Sequence, residues 1–97
     1  MDKLYKPSYL KEVLSRHGFN FSKALGQNFL VDGNIINMII EGSGVEEGDL
    51  VIEVGPGAGT LTNELSEIAE KVIAIELDTN LLPILDETTG DNVEIIH

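Results

Sequence analysis

The 97 residues bound one small domain or part of one, and an apolar share of 42% supplies a core, which argues against a wholly disordered chain. No cysteine is present, so disulfides and thiolate metal sites are excluded, and His17 and His97 stand too far apart in sequence to suggest a metal site. The net charge of -11 speaks against a nucleic-acid partner, yet the charge is uneven: residues 1–31 sum to +3 and residues 32–97 to -14. A basic front segment (Lys3, Lys6, Lys11, Arg16, Lys23) either touches phosphates or is the solvated face of a short helix, and composition leaves both readings open. The start, Met1 to Pro7, has no apolar stretch of the signal-peptide kind, and no apolar run nears the roughly 20 residues of a membrane helix. The expectation is a soluble cytoplasmic protein with no membrane partner.

In chain order, residues 8–17 predict a short amphipathic helix with Leu10, Val13 and Leu14 on one side, Ser8 as its cap and Gly18 as its stop. Phe19 to Val31 has no period but carries Phe19, Phe21, Leu25, Phe29 and Leu30, the mark of a loop that packs on something. Asp32 caps a second helix to about Glu41. Its stripe of Ile35, Ile36, Ile39 and Ile40 must be buried to hold it, since Ile is a modest helix former. Leu50 to Val54 is a β-branched run that reads as a strand buried on both faces. Thr60 to Glu70 predicts a helix with Leu61, Leu65, Ile68 and Ala69 inward and Thr62, Asn63, Glu64 and Glu67 outward. Val72 to Ile75 is a second buried strand ending at Glu76. Asp78 caps a further helix, shortened or distorted by Pro83. Thr88 to Asn92 is a turn, and Val93 to Ile96 a third strand. The fold class is α/β: β-α-β-α-β with parallel strands in order 3-2-1, half of a doubly wound Rossmann-like sheet preceded by N-terminal helices. Residues 1–31 form a front segment and residues 32–97 the sheet-bearing part.

The densest signal is Glu53-Val54-Gly55-Pro56-Gly57-Ala58-Gly59-Thr60, set between a strand and a helix. Alternate glycines let the backbone turn tightly and approach a ligand, and the helix start offers free N–H groups to a polar or anionic group. The spacing is neither that of the dinucleotide fingerprint nor that of a P-loop. Glu53 precedes the first glycine, in an otherwise apolar strand where an ionised carboxylate needs partners. Glu76 ends the next strand, 21 residues after Gly55, where a carboxylate accepts ribose hydroxyls. This pair of motifs resembles that of the class I S-adenosylmethionine methyltransferases, in which the loop wraps the methionine part and the acid holds the ribose.

Lys23-Ala24-Leu25-Gly26-Gln27-Asn28-Phe29-Leu30 narrows the resemblance. It is similar to the Lys-x-x-Gly-Gln-Asn-Phe-Leu signature of the ribosomal RNA adenine N6,N6-dimethyltransferases. Gly26 favours the small-subunit enzymes over the macrolide-resistance methylases, which tend to have serine there. The resemblance runs from about Phe21 to His97. It implies S-adenosylmethionine as cofactor, with Asn28, Leu30, Gly55, Gly57, Gly59 and Glu76 at its site, Gln27 and Phe29 shaping the mouth, and Glu53 beside the loop. It also implies small-subunit ribosomal RNA, or a pre-ribosomal particle, as partner.

The family's Asn-Leu-Pro-Tyr catalytic motif is absent from these residues, as is the acid after the third strand that meets the adenine. The expectation is therefore a fragment, inactive alone, with the strand 50–54 as an edge able to pair with a second copy. Two alternatives stand beside this reading. One is a nicotinamide-dependent oxidoreductase fragment, against which the glycine spacing argues. The other is a non-catalytic nucleotide-binding or RNA-associated module.

Overall fold

The computed structural model describes residues 3–19 and 32–97. In chain order they form α1 (Pro7–Arg16), α2 (Gly33–Ser43), β1 (Leu50–Val54), α3 (Thr60–Ile68), β2 (Lys71–Ile75), a 3-10 turn (Thr79–Leu81) that runs into α4 (Leu82–Thr88), and β3 (Val93–Ile96). The strands lie in the order β1-β2-β3 and both pairings are parallel. Val51 pairs with Val72 and Val72 with Val93, so one face of the sheet presents Val51, Val72, Ala74, Val93 and Ile95 to the helices. The α/β half-sheet read from the sequence is thus what forms.

Helix starts follow local chemistry. Pro7 opens α1 because its fixed φ suits the first helical position, where its missing N–H is no loss; the cap residue is Lys6, with no side-chain cap bond, and not Ser8. Asp32 caps α2 by accepting the Asn34 N–H at 2.8 Å, as expected, and Gly44 ends that helix in the left-handed region. Asp78 accepts from the Asn80 N–H to open the 3-10 turn, and Pro83 is admitted in the first turn of the short α4.

Among the described residues two clusters make the core. Leu4, Leu10, Val13 and Leu14 pack with Ala58, Leu81, Ile84 and Leu85, so α1 shares a core with the second half of the chain. Each fully buried leucine or isoleucine there contributes roughly 1.5–3 kcal/mol of transfer free energy. Leu65, Ala69 and Val72 form the second cluster with Ile40, Val45, Val51, Leu61 and Val93. Asn92 ties the layers by donating from Nδ2 to the Ser66 carbonyl at 2.8 Å, at the end of α3.

Some expectations about burial need correction. Of the α2 stripe only Ile36 is fully buried; Ile35 and Ile39 are exposed and Ile40 is half-buried, because α2 meets the core along one narrow line. β1 is not buried on both faces: Leu50, Ile52 and Val54 are 60%, 64% and 80% exposed. They project to the sheet face that no described helix covers, together with the half-buried Ile73 and Ile75 and the exposed Ile96. On α3, Thr62 is fully buried and Ile68 exposed, the reverse of the periodic assignment. Thr88 belongs to α4 and is buried, so the predicted turn begins one residue later.

Candidate cofactor site

The parallel sheet brings the ends of β1 and β2 side by side. The Gly55 N–H donates to the Ile75 carbonyl at 2.9 Å, extending the ladder one residue past β1. The chain then turns through Gly55, Gly57 and Gly59, which all take positive φ, at 73°, 62° and 96°. The Gly59 N–H closes back on the Pro56 carbonyl at 3.0 Å, and the Asn63 N–H on the Gly59 carbonyl at 2.9 Å starts α3.

The glycines have different surroundings. At Gly55 a side chain would meet nothing within 4 Å, so this corner is open to a ligand. Gly59 is buried with its back to α4, and a Cβ there would stand 2.8 Å from Thr88 Oγ1 and 3.3 Å from Leu85 Cδ2. Its φ and this contact both require glycine, for packing as much as for ligand approach.

Glu76, only 8% exposed, joins the loop to β2. Its Oε1 accepts the Gly57 N–H at 3.3 Å and its Oε2 accepts the Asp78 N–H at 3.0 Å. A carboxylate has about four lone-pair sites, so acceptor capacity is left for hydroxyl donors. The acid and the glycine crest are thereby one hydrogen-bonded unit at the carboxyl ends of the strands, the place where open α/β sheets take ligands.

Glu53 is half-buried in β1 and accepts the Thr62 hydroxyl from α3 at 2.5 Å. Burial pushes its pKa above the ordinary carboxylate value, and the Thr62 hydrogen bond opposes this in part. The partner demanded by an acid in an apolar strand is therefore Thr62, which helix periodicity had placed on the solvent side. Thr88 was also missed: its hydroxyl donates to the Ala58 carbonyl at 2.8 Å beneath the crest. Thr60, the first residue of α3, is buried with its hydroxyl oxygen unpartnered among the described residues. Gln27, Asn28, Phe29 and Leu30 lie outside the described residues.

The basic front segment is partly neutralised within the chain. Lys3 Nζ lies 3.0 Å from a Glu64 oxygen and 2.7 Å from a Glu67 oxygen on α3. Hydrogen bonds, to Glu67 and then Glu64, raise its pKa. Arg16 and His17 both reach Glu87 on α4, at 2.7 and 3.0 Å. For Lys3 and Arg16 the partners are acids of the sheet-bearing part. No helix among the described residues is long and apolar enough to cross a membrane.

Comparison with known proteins gives concordant results. The family described as "Ribosomal RNA adenine dimethylase" matches residues 18–97. The chain is 54% identical, over 99 aligned positions, to "Ribosomal RNA small subunit methyltransferase A" of Clostridioides difficile (strain 630), covering all of this chain and 34% of that protein. Among solved structures, it resembles the 23S rRNA methyltransferase ErmE with a TM-score of 0.62 and 33% identity, over 67% of this chain and 28% of that one. It also resembles a dimethyladenosine transferase from Plasmodium falciparum, with a TM-score of 0.61 and 29% identity over 66% of this chain and 25% of that one. The chain spans about a third of the length of the curated relatives it matches.

Proposed function

The chain belongs to the ribosomal RNA adenine dimethylase family, and from that premise we propose that it forms the S-adenosylmethionine-binding part of an enzyme that dimethylates adenine N6 in small-subunit ribosomal RNA. The observation that carries the reading is the Glu76–Gly57 hydrogen bond, which holds an acid and a glycine crest together at the ends of parallel strands. The donor set fits the cofactor: Glu76 keeps acceptor capacity for ribose hydroxyls, and the open corner at Gly55 admits a ligand backbone against the loop.

In this reading Glu76 binds the ribose, and Gly55, Gly57 and Gly59 shape the loop around the methionine part. Glu53 ties β1 to α3 through Thr62, on either side of the loop. Asn28 and Leu30 complete the site, with Gln27 at its mouth. Bound S-adenosylmethionine supplies a methyl group carried on a sulfonium. What these residues do is bind, orient and fix the loop; the groups that hold the target adenine are not among them. The partner is small-subunit ribosomal RNA, met in the cytoplasm where ribosomes are assembled.

Calorimetric titration with S-adenosylmethionine, and separately with NAD, tests the reading. Saturable S-adenosylmethionine binding is expected, weakened in Glu76→Ala by about tenfold or more, equivalent to about 1.4 kcal/mol. Binding of NAD in its place would overturn the assignment.

A further inference from the structure

The glycine crest has a conformational problem. Glycine takes φ of either sign with little penalty, so the peptide planes between Gly57 and Gly59 are not fixed by their own sterics. The direction of the Gly57 N–H nevertheless matters, because that group meets Glu76. Some other group must set these planes.

The last turn of α4 does so. Thr88 is 7% exposed, and its hydroxyl donates at 2.8 Å to the carbonyl of Ala58, which is 1% exposed and 30 residues away in sequence. That bond orients the Ala58–Gly59 peptide. The same side chain fits against the bare Cα of Gly59, with Leu85 beside it, so the crest cannot sink toward α4. The hydroxyl from beneath and the Glu76 carboxylate from the side therefore grip neighbouring residues, Ala58 and Gly57.

We propose that Thr88 is a positioning residue for the cofactor: it presets the crest so that the ligand meets an ordered loop and does not bear the cost of ordering it. This rests on the S-adenosylmethionine reading above and extends it to a side chain that acts through the backbone of the loop.

The test compares the wild-type chain with Thr88→Val, of the same shape without a hydroxyl, and Thr88→Ser, which keeps the donor. Two readouts are taken: S-adenosylmethionine affinity by calorimetry, and backbone amide exchange by NMR without ligand. Thr88→Val is expected to lose about tenfold in affinity while Thr88→Ser stays within about threefold of wild type. In Thr88→Val the Gly57 and Gly59 amides are expected to exchange at least about tenfold faster, with the β2 amides unchanged, as for a local opening. Equal affinities in wild type and Thr88→Val would overturn the proposal, and so would exchange that speeds up uniformly across β2, which marks a purely structural role. Should wild type bind no S-adenosylmethionine, the cofactor reading fails by itself, and the exchange pattern still decides whether Thr88 sets the crest. Should Thr88→Val not fold, Thr88→Ala, which also removes the donor, carries the same comparison.

Discussion

At the glycine-loop end of the sheet, Ala58, Gly59, Thr60 and Glu76 are buried, and Thr88 and Glu76 hold the loop by hydrogen bonds from two directions. Along β1 and α2, by contrast, Leu50, Ile52, Val54, Ile35 and Met38 are exposed, although they are as apolar as anything in the core. The difference shows that hydrophobicity alone did not decide burial here. For the strands, position in the sheet decided it: the face of Val72 and Ala74 is covered by helices, and the face of Ile52 by no described helix.

The largest difference is expected between two truncations. Leu85→Ala, in the covered cluster, is expected to cost about 2–5 kcal/mol in denaturant unfolding. Ile52→Ala, on the open face, is expected to cost under about 0.5 kcal/mol. Similar losses at the two sites would mean that Ile52 is covered in solution. The candidate cover is a second copy, because among the described residues β1 is an edge strand with an apolar outer face. We expect Ile52→Lys to move the light-scattering mass toward monomer; a wild-type chain already monomeric at high concentration removes the idea.

A smaller effect concerns Glu53. Its pKa in the fold lies above the ordinary value of 4.5, so the folded state holds the proton more tightly than the unfolded chain. That contribution is complete below the unfolded value and is lost as pH rises through the raised one. Glu53→Gln, which keeps an acceptor for Thr62, should raise the melting temperature at neutral pH by a few degrees, roughly 2–5 °C, and flatten its fall with pH. An unchanged profile would show that Glu53 is solvated.

The smallest effect is expected at Lys3. Its pairs with Glu64 and Glu67 are partly exposed and screened, so Lys3→Gln should cost no more than about 1 kcal/mol at low salt and less at high salt.

Strands, their order and the glycine loop were legible in the sequence because each rests on a local pattern: a β-branched run, a glycine stop, an acid at a strand end. What was not legible depends on contacts between distant elements. Thr62 looked like a solvent residue because helix periodicity sorts by polarity, and only the neighbouring strand reveals Glu53 opposite it. Thr88 looked like the start of a turn because it opens a polar, glycine-bearing stretch, while its partner Ala58 lies 30 residues earlier. The α2 stripe was rightly periodic, but periodicity says which residues share a face and not how much of that face meets the core. Ser8 lost the cap to Lys6 because Pro7 can itself begin a helix.

The ion pairs of the front segment carry a consequence for salt dependence. A cation that joins a polyanion gains chiefly by releasing the counterions condensed on it, and the number released sets how steeply affinity falls with salt. Lys3 and Arg16 already have carboxylate neighbours within the chain. Each would have to exchange a carboxylate for a phosphate, so its net gain in affinity from an RNA contact should be smaller than that of a cation with no carboxylate beside it.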